Sequence, residues 1–125
     1  MAFVHDLRKD FERLLSRKAL GHAYLFFGEG IVGEGAFSES LARFIQYGAW
    51  EGNFDMLSDT MMRDARSNGG VDDAREMKSF LSMTPTVGKK RIFMVHHAES
   101  LTPASQNAIL KIAEEPPEEG MMLFA

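Results

Sequence analysis

Residues 23–37 of this 125-residue chain read AYLFFGEGIVGEGAF, and this order of apolar and glycine-rich residues is the strongest indication of the fold. Its first five residues are apolar and aromatic, which predicts a buried strand. The eight residues from Gly28 to Gly35 then have the glycine spacing of a phosphate-binding loop, G-x-x-x-x-G-K-[ST]. Apolar residues at helical spacing follow over residues 36–46. Strand, glycine loop and helix in this order are the context that a phosphate-binding loop requires.

The loop nevertheless lacks the two residues that hold a nucleotide. Gly28 and Gly33 occupy the fixed glycine positions, but Glu34 and Gly35 replace the lysine and the hydroxyl residue. Two unit charges about 4 Å apart interact by roughly 4 kcal/mol at an effective dielectric constant of 20. Exchanging an attractive ammonium for a repulsive carboxylate therefore weakens phosphate binding by on the order of a thousandfold or more. The alternative interpretation is an ordinary glycine-rich turn.

Composition limits the class of protein. The chain is 45% hydrophobic and 26% charged, as expected for one soluble globular domain or part of one. Its net charge of −4 argues against a strongly basic nucleic-acid binder. The absence of cysteine excludes disulfides and thiolate metal sites, and no apolar run is long enough to cross a bilayer. We therefore expect a cytoplasmic protein.

The remaining chain repeats the alternation of strands and helices. The N-terminal residues form one apolar helix face, and Gly21 is a plausible stop after it. Phe54–Leu57 predicts a short strand, with an edge position as one option, and residues 63–70 predict a polar loop. A helix face follows over residues 71–81. The residues of the first face are Val4, Leu7, Phe11, Leu14 and Leu15.

The C-terminal half carries the clearest element signals. Ile92–Val95 is a continuous apolar run, which is typical of a central parallel strand. Thr102 and Pro103 predict a helix start, Pro116 ends that helix, and Met121–Ala125 predicts one more buried strand. The residues predicted to face inward from that helix are Ala104, Ala108, Ile109, Ile112 and Ala113.

This alternation predicts an α/β fold with a parallel sheet of four strands covered by helices on both faces. Because the last strand lies at the C-terminus, we expect a three-layer domain that is incomplete there.

Five stretches resemble the clamp-loader branch of the AAA+ proteins, most closely the delta-prime subunits of bacterial DNA polymerase III. They are His22–Phe26, Gly70–Met77, Thr84–Pro85, Gly88–Thr102 and Gln106–Pro117, of which the last is the most discriminating. The resemblance extends from His22 to Ala125. It implies that residues 1–125 are a partial N-terminal AAA+ domain of the P-loop type, without the lid and collar domains.

The resemblance also identifies a second degenerate motif. In active relatives the strand matching Ile92–Val95 ends in Asp-Glu, which holds magnesium and polarises the attacking water, whereas this chain has His96 and His97. We interpret the two histidines as strand-end residues with satisfied hydrogen bonds, because no third metal ligand stands at useful spacing. With both motifs degenerate, we expect no catalytic residue, bound cofactor or metal ion, and no intrinsic ATPase activity. The family's four-cysteine zinc module is also missing.

The resemblance implies a catalytically silent member of a heteropentameric ring. The full-length protein would assemble with other clamp-loader subunits of a DNA polymerase holoenzyme, and through them with the sliding clamp and primed DNA. The family's arginine finger, in a Ser-Arg-Cys motif, would lie beyond Ala125. We expect no membrane partner, and this piece alone to be a monomer or weakly self-associating.

Two alternatives stay open, as does the role of one basic turn. The first alternative is an ATP-binding clamp-loader ATPase of the gamma/tau type with atypical motifs, and the second is an AAA+-derived interaction module outside replication. Lys89, Lys90 and Arg91 precede a predicted buried strand. They predict either a contact with DNA phosphates or a partner, or a solvated loop.

Overall fold

A computed structural model of the chain describes residues 4–26, 37–67 and 71–125. It contains four helices and four strands in these ranges, with one turn of 3-10 helix at Ala98–Ser100. None of these helices has the length and apolar character needed to cross a membrane. The elements in chain order are α1 Val4–Ser16, β1 Ala23–Leu25, α2 Phe37–Tyr47, β2 Thr60–Asp64, α3 Val71–Leu81, β3 Arg91–His96, α4 Pro103–Glu114 and β4 Gly120–Phe124.

The four strands form one parallel sheet in the order β1-β4-β3-β2. Phe93 of β3 lies between Met61 of β2 and Met122 of β4, and Met122 in turn pairs with Ala23 of β1. The two inner strands are almost wholly buried, as their continuous apolar sequences predict. The predicted parallel α/β fold is confirmed.

Helices cover both faces of this sheet. One hydrophobic cluster joins α1 and α2 to the strand residues Ile92, Met94 and Leu123, and a second joins α3 and α4 to Phe93 and Val95. Successive residues of β3 therefore enter opposite clusters, because side chains alternate across a strand. The three-layer arrangement follows directly from this alternation.

The first helix ends earlier than the glycine at 21 suggests. Lys18 adopts a left-handed conformation with φ 54°, and its N–H donates to the Leu15 carbonyl over 3.1 Å. The N–H of Ala19 donates to the Leu14 carbonyl over 2.9 Å. This pair of bonds is the Schellman motif. The stop therefore lies at Lys18, and the prediction of Gly21 is wrong.

Two strand predictions need correction. Phe54–Leu57 is not a strand, because the Asp55 carboxylate accepts the N–H groups of Leu57 and Ser58 and forms a turn there. The strand begins later, at Thr60–Asp64, and takes in two residues that were predicted as loop. An outer strand pairs on one side only, and its side chains can be polar. A prediction based on apolar runs therefore does not detect it.

The first strand is also less buried than its sequence suggests. β1 pairs with β4 on one side, and the Leu25 side chain is 62% exposed. Within the described ranges no strand covers its other edge. The apolar run that begins at Ala23 therefore contains an outer strand, Ala23–Leu25, and not the buried strand that its sequence predicts.

The last helix follows the prediction at its start. Thr102 is the N-cap, its Oγ1 accepts the N–H of Ser105 over 3.1 Å, and Pro103 is the first helical residue. Ala104 is exposed and does not face inward as predicted, whereas Ser105 is buried. The hydrogen bond from the Ser105 N–H to Thr102 caps the helix. The same bond fixes Ser105 as the inward-facing residue of the first turn.

Candidate functional site

The carboxyl ends of the parallel strands meet at one edge of the sheet, where ligands bind in folds of this class. Asp64 at the end of β2 pairs with His96 at the end of β3, and Phe124 of β4 pairs with Leu25 at the end of β1. The glycine loop connects this end of β1 to α2. Its residues Gly28, Gly33, Glu34 and Gly35 lie outside the described residues.

The two histidines at the end of β3 are incompletely hydrogen-bonded. Among the described residues, the buried Nε2 of His96 has no hydrogen-bond partner. His97 adopts the left-handed conformation, with φ 57° and ψ 51°, which is uncommon for a residue other than glycine. Its Nδ1 lies 3.3 Å from Oδ1 of Asp64, without the alignment of a hydrogen bond. The expectation of satisfied strand-end histidines is therefore wrong for these two ring nitrogens.

The carboxylate beside the histidines is already engaged. Arg66 donates to Asp64 from Nε over 3.1 Å and from Nη2 over 2.7 Å, and its backbone N–H donates over 2.9 Å. These bonds from the Arg66 side chain and backbone hold the pKa of Asp64 far below its usual value. Asp64 thus serves as the counterion of Arg66.

This composition opposes magnesium binding at the edge of β3. Magnesium is held by carboxylates in near-octahedral geometry. The strand end instead presents two imidazole rings and one carboxylate paired with a guanidinium. Within the described part of the chain, no group of three or more histidine, aspartate or glutamate side chains is arranged to hold a metal ion.

The three basic residues of the predicted turn lie in different environments in the structure. Arg91 is 3% exposed, and it donates from Nη1 to Asp59 over 3.1 Å and from Nε to the Phe80 carbonyl over 3.1 Å. It therefore faces the interior, and its inclusion among surface contact residues is corrected. Lys89 is exposed, and Lys90 lies 3.6 Å from Glu119. A DNA or partner contact through these two lysines stays a prediction.

A buried aspartate organises the turn before β3. The Asp59 carboxylate accepts the N–H groups of Thr86, Val87 and Gly88 over 2.6, 2.7 and 2.5 Å. Burial raises the pKa of Asp59, but these backbone bonds and the Arg91 side chain outweigh burial and lower it to about 2. The carboxylate is consequently ionised near neutral pH, and it is hydrogen-bonded to the three backbone amides and to Arg91.

A buried glutamine fixes the next two residues. Gln46 Oε1 accepts the N–H groups of Lys89 and Lys90, each over 2.9 Å, and its Nε2 donates to the Lys90 carbonyl over 2.8 Å. Together, Asp59 and Gln46 bind five consecutive backbone amides. Neither residue is predictable from the sequence alone, since neither belongs to a motif and only their contacts reveal their role.

Comparison with known proteins agrees with this fold. A sequence profile of the family described as "DNA polymerase III, delta subunit" matches residues 4–125. The DNA polymerase III subunit gamma/tau of Mycobacterium tuberculosis (strain H37Rv) is 35% identical over 121 residues, which cover 85% of this chain and 21% of that protein. The DNA polymerase III subunit tau of Escherichia coli (strain K12) is 28% identical over 124 residues, which cover 89% of this chain and 19% of that protein.

A solved structure is also similar. The DNA polymerase III gamma subunit-related protein of Thermotoga maritima superposes with a TM-score of 0.74 at 28% identity. The superposition covers 93% of this chain and 38% of that one. The chain spans about a fifth of the length of the curated relatives it matches.

Proposed function

The chain belongs to the DNA polymerase III delta subunit family of clamp-loader AAA+ proteins, and we propose that it is the N-terminal AAA+ domain of a delta-prime-like subunit that does not hydrolyse ATP. In this role it is a rigid member of a heteropentameric ring that loads the sliding clamp onto primed DNA. Lid and collar domains would complete the protein outside residues 1–125. We place this activity in the cytoplasm.

One observation carries the proposal: the strand end that should supply two carboxylates supplies His96 and His97. The phosphate-binding loop is independently defective, because Glu34 and Gly35 replace its lysine and its hydroxyl residue. Asp64, which lies 3.3 Å from His97, is bound by Arg66. A metal-bound triphosphate would therefore meet no magnesium ligand from β3 and a negative charge at the loop position where it needs an ammonium.

A second candidate function rests on the relatives themselves. The proteins quoted above are named gamma/tau or tau subunits, and the solved structure is titled gamma subunit-related. This favours an ATP-binding subunit of the gamma/tau type that uses atypical motif residues. The two candidates differ in one measurable property, magnesium-dependent nucleotide affinity.

Titration with a fluorescent ATP analogue, with magnesium and with a chelator, separates them. We expect no saturation in the micromolar range for the chain, while the corresponding domain of the Mycobacterium tuberculosis gamma/tau subunit serves as a comparison. The double variant Glu34→Lys, Gly35→Thr restores the loop chemistry, and we expect it to bind more tightly than the parent chain. Micromolar, magnesium-dependent binding by the unaltered chain would reject the silent role and support the gamma/tau-like one.

The ring assignment needs its own test. The full-length protein, carrying an affinity tag, is isolated from its own cells, and the bound proteins are identified by mass spectrometry. We expect the other clamp-loader subunits in stoichiometric amounts. Their absence would favour an AAA+-derived interaction module outside replication.

A further inference from the structure

Met83 is an exposed methionine beside a buried guanidinium. It follows the end of α3 and is 55% exposed. Its Sδ accepts a hydrogen bond from Nη2 of Arg91 over 3.3 Å, although the Arg91 side chain is only 4% exposed. The Phe80 carbonyl accepts from the Met83 N–H over 3.3 Å and from Arg91 Nε over 3.1 Å. Both the backbone and the side chain of Met83 are therefore held next to Arg91.

Nη2 is the least satisfied nitrogen of this guanidinium. An arginine side chain has five N–H donors, of which two belong to Nη2. Nη1 donates to the Ser58 carbonyl over 2.9 Å and to the Asp59 carboxylate over 3.1 Å. Among the described residues, the single acceptor at Nη2 is the Met83 thioether, which accepts hydrogen bonds only weakly. A stronger acceptor at this sulfur would therefore improve the hydrogen bonding of a buried cation.

Oxidation of the thioether supplies such an acceptor. A lone pair of Sδ attacks one oxygen of hydrogen peroxide, and the S–O bond forms as the O–O bond breaks. The departing hydroxide takes the proton of the transferred oxygen and leaves as water, so that sulfur is oxidised and peroxide is reduced. The product is methionine sulfoxide, which carries a polar oxygen on sulfur. The three rotatable bonds of a methionine side chain let this oxygen turn toward Nη2.

We propose that Met83 is an oxidation site whose sulfoxide oxygen is bound by Nη2 of Arg91. Methionine oxidation disrupts proteins when it places a polar oxygen in an apolar core. At Met83 the oxygen instead replaces a weak acceptor with a strong one, and the charge-assisted bond links the end of α3 more firmly to the start of β3. The site lies at the opposite end of β3 from His96, so it does not depend on whether the chain binds a nucleotide.

Met62 is the matched control for Met83. It is 45% exposed on β2, and Arg63 donates to its backbone carbonyl and not to its sulfur. The variants Met62→Leu and Met83→Leu each leave one of these two exposed methionines in place. The buried methionines, which should react slowly, are Met77, Met94, Met121 and Met122.

Limited treatment with hydrogen peroxide, followed by peptide mapping with mass spectrometry, locates the sulfoxides. We expect Met83 and Met62 to react at least about tenfold faster than the buried methionines. The oxidised Met62→Leu variant is then unfolded in urea. We expect its unfolding equilibrium constant to fall roughly threefold to tenfold on oxidation, because a hydrogen bond to a charged group has been strengthened. The oxidised Met83→Leu variant should show no such gain in stability.

NMR of the chain labelled with isotopic arginine checks the bond itself. We expect the Nη2 protons of Arg91 to move downfield and to exchange more slowly with solvent when Met83 is oxidised. Methionine sulfoxide reductases should reverse both changes. Oxidation of Met62 in the Met83→Leu variant should leave these protons unchanged.

Three results would each overturn the proposal. The first is that Met83 reacts as slowly as the buried methionines. The second is that its sulfoxide leaves the Arg91 resonances in place, and the third is that its oxidation does not stabilise the chain.

Discussion

Arg91 Nη1 lies 3.1 Å from Asp59 Oδ1, and the two side chains are 4% and 3% exposed. The same guanidinium stacks over the Phe80 ring at 3.8 Å and donates to the Ser58 carbonyl over 2.9 Å. Arg91, at the start of β3, therefore links the two residues before β2 to the end of α3. An unpaired charge at this depth would be costly, since its lost hydration is not replaced.

We expect Asp59→Ala to lower the free energy of unfolding by roughly 3–5 kcal/mol, because it leaves Arg91 buried without a counterion. The double variant Asp59→Ala, Arg91→Met removes both charges and should recover part of that loss, because the N–H groups of Thr86, Val87 and Gly88 still lack their acceptor. Urea unfolding measures both. Asp10→Asn breaks an exposed ion pair of 4.0 Å, and we expect it to change stability by under about 0.5 kcal/mol. Equal losses for the single and double variants would contradict this account.

The lowered pKa of Asp59 predicts an acid-sensitive part of the stability. Its folded pKa of about 2 lies below the ordinary value of 3.8, so its contribution is complete above pH 3.8 and is lost as the pH falls toward 2. The difference in unfolding free energy between the parent and Asp59→Asn should shrink by about 2 kcal/mol across this window. Chemical denaturation at a series of pH values measures the difference. A constant difference would contradict the prediction.

Gly88 has no room for a side chain. A Cβ there would lie 2.6 Å from Cδ of Gln46, whose amide holds Lys89 and Lys90. Gly88→Ala should therefore cost roughly 1–3 kcal/mol, as overpacking does. Hydrogen exchange should show reduced protection of the two lysine amides.

Gly21→Ala is the comparison for this glycine. Its Cβ would meet the Tyr24 hydroxyl at 3.3 Å in an exposed turn, so we expect the smaller effect. A larger loss for Gly21→Ala than for Gly88→Ala would show that the Gln46 contact is not the cause.

Lys18→Gly should stabilise the chain. Lys18 holds a left-handed conformation at the end of α1, which costs a residue with a side chain about 1 kcal/mol and costs glycine little. We expect a gain of up to about 1 kcal/mol in thermal or urea unfolding. Lys18→Val should lose stability, because a β-branched residue tolerates this conformation least. The opposite order of the two variants would show that the Schellman motif does not persist in solution.

The inner strands, the helices and the start of α4 can be predicted from the amino-acid sequence. Continuous apolar runs, helical spacing and a Thr-Pro start report local preferences and burial on one face, and all of these are readable from neighbouring residues. It also displayed the substituted motif positions Glu34, His96 and His97. Tertiary structure alone decided the place of β2, whose polar residues are held by pairing on one side.

Tertiary structure also decided the separate fates of Lys89 and Arg91, adjacent in sequence but exposed and buried in the fold. Asp59 and Gln46 gained their roles in the same way, through contacts with residues 27 to 44 positions away. A residue's charge and size are fixed by the chain, but its partner depends on which distant backbone groups the fold brings within hydrogen-bond reach.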